Sequence, residues 1–212
     1  CDTIRQIRQE TTLSVCVSFG LLTESQFRRL KEAGVSRVHN NLETSEKHFP
    51  NICTTHTFAD KVSAIQAAQR AGLTVCSGGI MGMGETMADR IDMALSLRDL
   101  GITSVPVNVL NPIPGTPFGE YPTLSEAEVL RILALYRFLL PAASIRMAGG
   151  RGLLPDGGRS CFLSGANAAI TGDMLTTAGI TVQTDLQMLT ELGYEVKLDE
   201  TTDDHRHRYG RR

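Results

Sequence analysis

Six apolar, β-like runs, each ending in a polar or small residue, constrain this chain more than any other feature. Five of the ends carry Cys16, Asn41, Cys76, Asn108 and Arg146, and a sixth carries Gly165-Ala166-Asn167. The first five recur at steps of 25 to 38 residues, with helix-like segments between most of them. That rhythm predicts repeated strand–helix units. In a parallel barrel the strand ends face one mouth, so residues distant in sequence converge there. Two thiols, two amides and a guanidinium are poor core material and good site material.

Strands are expected over 13–18, 35–41, 73–77, 102–110, 144–147 and 166–171. Several are continuously apolar, as strands covered on both faces should be. Capping boxes mark the helix starts at Thr23 with Gln26 and at Ser125 with Glu128, and Thr86 with Asp89 resembles a third. Gly34 and Gly72 follow as stops, and Pro141 ends the fourth interval. Phe27 with Leu30, and Val62 with Ile65, mark the buried faces of two helices. Met87, Ile91, Ala94 and Leu95 form the stripe of a third, and Thr184 is expected to cap a last helix carrying Leu186 and Leu189. The fold class is therefore α/β, a TIM-type (β/α) barrel with about six of its eight units. The chain opens in a helix-like stretch, 1–9, which reads as a barrel without its first two units. An open six-stranded α/β sheet is the alternative. Residues 1–198 form this partial barrel and 199–212 a charged, frayed tail.

The 212 residues carry a formal net charge of −2, which argues against a nucleic-acid groove or an anionic membrane surface. No apolar run approaches ~18 residues, so no membrane-spanning helix is expected. No targeting signal is visible in a chain that starts without Met. The five cysteines are odd in number and no pair forms C-x-x-C, so reduced thiols in a cytosol-like compartment are expected. Any metal site must be assembled by the fold, since zinc-ribbon spacing is absent and His39, His48 and His56 make no metal pattern.

Residues 75–86, Val-Cys-Ser-Gly-Gly-Ile-Met-Gly-Met-Gly-Glu-Thr, read as a strand, a glycine-rich turn and a helix start. Such glycines let backbone approach a ligand, and the helix N-terminus favours anions. A tight βα turn explains the same letters. Cys16 and Cys76 at equivalent strand ends suit iron or iron–sulfur ligation, or are small core residues. Arg146, flanked by Ile145 and Met147, needs an acid, a ligand or a cluster as partner, and a structural ion pair would serve. Asn41 and Asn108 offer the donors and acceptors a urea-like substrate wants, or turn chemistry. Glu43 is placed to grip a ribose diol, or is an exposed loop acid. Thr176 and Thr177 would bind a carboxylate, or form a polar turn. The Pro/Gly-rich 111–124 stretch is expected to cover a site. Cys53 and Cys161 read as structural, with an oxidation liability if exposed.

Taken together, 75–80, 82–86, Asn-Asn-Leu-Glu-Thr-Ser at 40–45, Val-Pro-Val-Asn at 105–108, Ile-Arg-Met-Ala-Gly-Gly-Arg at 145–151, 165–167 and Leu-Thr-Thr at 175–177 resemble the biotin synthase family. They stand in the family's order over about 5–196. The resemblance implies a radical S-adenosyl-L-methionine (SAM) enzyme on a TIM-type barrel that inserts sulfur into dethiobiotin to form biotin. It implies a [4Fe–4S] cluster that splits SAM to a 5′-deoxyadenosyl radical, and a [2Fe–2S] cluster as sulfur donor. Cys16, Cys76 and Arg146 match three of the latter's four ligands, and the fourth would precede residue 1. Asn41, Glu43, Gly78, Gly79, Ile80 and Gly82 match the SAM site. His39, Asn41, Asn108, Thr176 and Thr177 match the dethiobiotin site. An electron donor such as a flavodoxin or ferredoxin, a homodimer, and a cytoplasmic location (mitochondrial in a eukaryote) are also implied. Two departures stand out. Residues 38–41 read Val-His-Asn-Asn where the family has Tyr-Asn-His-Asn, and no C-x-x-x-C-x-x-C is present. The chain alone is therefore expected to be inactive. A related radical SAM enzyme with another substrate, or a non-catalytic SAM- or cluster-binding paralogue, is the alternative.

Overall fold

The computed structural model describes residues 1–173 and 179–196. In chain order the elements are α1 (Asp2–Glu10), β1 (Val15–Val17), α2 (Glu24–Glu32), β2 (Val35–His39), α3 (Phe58–Arg70), β3 (Thr74–Cys76), β4 (Gly79–Met81), α4 (Met87–Asp99), β5 (Ser104–Val109), α5 (Glu126–Leu139), β6 (Ser144–Met147), α6 (Arg159–Leu163), β7 (Ala168–Ala169) and α7 (Val182–Glu191). The strands form one parallel sheet in the order β1-β2-β3-β5-β6-β7, with β4 paired to β5. Sequential parallel neighbours joined by helices are a half-barrel, which bears out the six strand–helix units.

Helix starts follow local chemistry. Thr23, Thr57, Thr86 and Ser125 each close a capping box on α2 to α5. The last helix departs from expectation. Its cap is Thr181, whose hydroxyl accepts from the Thr184 amide, so Thr184 sits inside the first turn. The α4 stripe also shifts. Met93, Ala94 and Leu97 are the buried apolar residues, together with Asp89 and Arg90, which find polar partners.

The strands are not apolar on both faces. Val38, Val75, Val105, Val107, Ile145 and Met147 are buried among Phe27, Ile65, Met93, Leu97, Ile132 and Leu133 of the helices, in one core. Ladder partners share a face. The pairs Arg37–Thr74, His39–Cys76, Cys76–Ser104, Ser104–Ser144, Pro106–Arg146 and Ile80–Asn108 therefore line the opposite, barrel-facing side.

The strand expected over 73–77 ends at Cys76, and the predicted glycine-rich turn contains a further short strand, β4. Between β3 and β4, a Cβ on Gly78 would collide with the Pro106 carbonyl oxygen, so only glycine lets the chain pass there. The break leaves the ladder at Ser77–Gly78 and resumes it at Gly79 opposite Val107.

Candidate functional site

The barrel-facing side gathers the predicted cysteines and arginine. Cys76 ends β3 and is 3% exposed, and the Arg146 Nη1 donates to its sulfur at 3.5 Å. Cys16 pairs with Arg37 across β1–β2 and is exposed. Protein packed against one side of the Cys16 thiol pushes its pKa up, as does Cys76, while the Arg37 and Arg146 charges pull it down. So the two thiols and the guanidinium share one electrostatic neighbourhood. Among the described residues, no group of three or more His, Cys, Asp or Glu could hold a metal ion. Two soft thiolates beside a guanidinium fit an iron–sulfur cluster in donor chemistry, as part of its ligand set.

Asn41 and Asn108 both fasten backbone at the mouth. Asn41 Oδ1 accepts from the Gly78 amide at 3.0 Å, and its Nδ2 donates to Glu43 at 3.4 Å. Asn108 Nδ2 donates to the Gly79 carbonyl at 3.1 Å, and its Oδ1 accepts from the Gly149 amide at 2.9 Å. Each amide keeps one N–H and one lone pair for a further partner. The two therefore tie the loops after β2, β3 and β6 to β4 and β5 at the mouth.

Glu43 is not an exposed loop acid. It sits half-buried at φ 71°, the left-handed region, and is the non-glycine residue found there among the described residues. Such strain costs about 1–3 kcal/mol and gathers at ligand clamps. Its carbonyl accepts from the Ile80 amide, and its amide donates to the Gly78 carbonyl. Burial raises its carboxyl pKa, opposed by the Lys61 charge and the Asn41 hydrogen bond. His39 is held low by burial first, then by Lys61 and Arg146. Lys61, on α3, is thus an electrostatic neighbour of both predicted residues, and sequence reasoning missed it because an amphipathic helix explains a lysine without a site.

The glycine turn is shaped by the protein itself. A Cβ on Gly79 would overlap the Glu43 carbonyl oxygen and lie 2.7 Å from Met93 Cε. So Gly78 and Gly79 are required by neighbouring protein atoms, a reason that the ligand-approach argument did not contain. Ile80 stands beside Asn108 on the barrel-facing side. Gly82 is placed by Glu85, whose carboxylate accepts from the Gly82 and Met83 amides at 2.8 and 2.7 Å. The buried Glu85 is paired with Arg90 at 2.7 Å, and Tyr136 donates to the Arg90 carbonyl. On the far side, Ser45 donates to Asp89 at 2.7 Å, joining the loop after β2 to the start of α4. Hydrogen bonds from Thr86 and Ser45 hold the Asp89 carboxyl down at about 2. The 111–124 stretch lies against this turn: a Cβ on Gly82 would be 3.4 Å from Leu124, and one on Gly84 would be 2.9 Å from Tyr121.

A second clamp follows β6. Arg151, 3% exposed, donates twice to the buried Asp185 of α7, at 2.9 and 2.7 Å. A cavity of about 680 Å³ opens beside it, lined by Arg146, Asn167, Thr171, Asp185, Leu186 and Tyr194 among others. Of the predicted site residues, Arg146 reaches this cavity. Thr176 and Thr177, and the predicted tail 199–212, lie outside the described residues. Cys161 is buried, as a structural thiol should be, whereas Cys53 is half-exposed. No helix among the described residues is long and apolar enough to cross a membrane.

Comparison with known proteins divides the chain in two. Residues 2–97 match the Radical SAM superfamily, and 106–195 match the Biotin and Thiamin Synthesis associated domain. The chain is 61% identical to the biotin synthase of Brachyspira hyodysenteriae, over 94% of this chain and 60% of that protein. It is 57% identical to the biotin synthase of Akkermansia muciniphila, over 93% of this chain and 62% of that one. The chain thus spans about three-fifths of the length of these curated relatives. Among solved structures it is similar to methylornithine synthase (TM-score 0.77, 19% identity, 93% of this chain and 63% of that one). It also resembles the FeFe-hydrogenase maturase HydG from Carboxydothermus hydrogenoformans (TM-score 0.72, 19% identity, 90% of this chain and 50% of that one). At that identity the likeness concerns the fold.

Proposed function

We propose, from the premise that this chain belongs to the biotin synthase family, that it supplies the sulfur-donor side and the SAM-facing turn of an enzyme making biotin from dethiobiotin. The observation that carries the reading is the meeting of Cys76 and Arg146 beside Cys16 on the barrel-facing side of the sheet. Cys16, Cys76 and Arg146 would hold a [2Fe–2S] cluster together with a further ligand. When bound, that group supplies the sulfur atom.

The chain's own residues would do the holding and orienting. The amides of Gly82 and Met83, fixed by Glu85, keep the glycine turn in one shape, and Ile80 would offer its apolar side chain to an adenine ring. Glu43, pinned through its backbone to Gly78 and Ile80, aims its carboxylate at ribose hydroxyls. Asn41 and Asn108 use their remaining donor and acceptor on the ureido ring of dethiobiotin, already oriented by their bonds to Gly78, Gly79 and Gly149. Pre-set polar groups lose little freedom on binding, which favours positioning of an unactivated carbon. His39 stays largely neutral near pH 7, since burial and two cations disfavour its charged form. It would therefore offer a neutral hydrogen-bonding edge to substrate. The sequence contains no C-x-x-x-C-x-x-C, and on this reading the 212 residues alone do not cleave SAM.

The test joins these residues to the N-terminal part of the Brachyspira relative. With iron, sulfide, SAM, reductant and dethiobiotin under anaerobic conditions, the chimera should form biotin, and Cys76→Ala should abolish it. A chimera that consumes SAM yet leaves dethiobiotin intact would assign the site to another substrate.

A further inference from the structure

Cys53 lies outside the site just described, on the loop between β2 and α3. Its sulfur is 3.4 Å from His56 Nδ1 and 3.5 Å from the Thr55 hydroxyl. The Thr55 hydroxyl is itself 3.1 Å from that same imidazole nitrogen. The ring is held in place by an edge contact with the buried Phe49, centroids 5.6 Å apart. All three groups open on a cavity of about 510 Å³. A thiol, a fixed base, a hydroxyl and an open approach are the parts of a reactive cysteine. Hydrogen bonds from the Thr55 hydroxyl and from the Thr55 and His56 backbone, with the Lys61 charge, lower the Cys53 pKa, whereas burial and Cys76 raise that of Cys16.

We infer that Cys53 is a modification site, a thiol that small hydroperoxides convert to sulfenic acid ahead of the chain's other described cysteines. The thiolate sulfur attacks one peroxide oxygen. An S–O bond forms and the O–O bond breaks. Sulfur is oxidised by two electrons, and the peroxide is reduced to water or an alcohol, whose oxygen takes its proton from His56 or solvent. Nothing in this step draws on the function proposed above. It extends the expectation that Cys53 is structural with an oxidation liability if exposed.

The experiment treats the whole chain, folded and free of metal, with limiting hydrogen peroxide. Sulfenic acid is trapped with a 1,3-dione and located by peptide mass spectrometry. Cys53 should be labelled first, ahead of the exposed Cys1 and Cys16. His56→Ala should slow it about tenfold, and Thr55→Ala, which removes one hydroxyl from an exposed residue, about threefold. Labelling of Cys53 no faster than Cys1 or Cys16 would overturn the inference. So would a rate unchanged in Thr55→Ala and His56→Ala.

Discussion

The two faces of the sheet are made by the same strands and follow different rules. The helix-facing side is Val38, Val75, Val105, Val107, Ile145 and Met147, all at most 5% exposed. The barrel-facing side is Arg37, His39, Cys76, Ser104, Arg146 and Asn108, one residue away in each case. Period-two alternation lets one strand serve both. The first face is free to be chosen for packing, because the second needs little from it except register. Register is what brings Cys76 under Arg146, so a slip of one residue would turn the site into the core and the core into the site.

Predictions that would break or sharpen this division run from large effects to small. The largest belongs to neither face. Arg151→Ala would leave Asp185 buried without its partner, at a cost of about 3–5 kcal/mol in denaturant unfolding. Arg151→Met with Asp185→Leu should recover most of it. Next comes the helix-facing side, where Ile145→Ala should cost about 2–5 kcal/mol, measured the same way. Asp89→Asn should cost about 1 kcal/mol at neutral pH, because it weakens the hydrogen bonds the carboxylate accepts from Thr86 and Ser45. Because the Asp89 carboxyl is held at about 2, its contribution is complete above the unfolded carboxyl range and fades as pH falls through about 2. Acid titration of wild type and variant should therefore converge at the acid end. Glu43→Gln should be slightly stabilising at neutral pH, for its pKa is raised on folding, and the gain should vanish in acid, where both side chains are neutral. The smallest change is expected from Cys76→Ala, under about 1 kcal/mol if this face serves chemistry rather than packing. A loss as large as that of Ile145→Ala would erase the distinction.

What was legible in the sequence was whatever chemistry is local. The boxes Thr23–Gln26 and Ser125–Glu128 set helix starts through contacts three residues apart, and both are present. The strand ends were legible because a repeated unit fixes where each end falls, and this placed Cys76 and Arg146 together across 70 residues. What escaped reading depended on distant partners. Asp89 and Arg90 look like the solvent side of α4, yet Ser45, 44 residues away, and Glu85 make their burial tolerable. The break at Ser77–Gly78 depends on Pro106, and the Arg151 clamp depends on Asp185, 34 residues on. Asn41 and Asn108 were found for their hydrogen-bonding capacity, but part of that capacity is spent on backbone, which no spacing rule reveals.

The most direct measurement is anaerobic incubation of the chain with iron and sulfide, followed by visible absorption and iron analysis. Wild type should develop thiolate-to-iron charge-transfer absorption, with Ile145→Val behaving alike, while Cys16→Ala and Cys76→Ala lose it and remain folded. Equal iron and equal absorption in wild type and in the double Cys16→Ala, Cys76→Ala variant would contradict the assignment of the barrel-facing side to an iron–sulfur group.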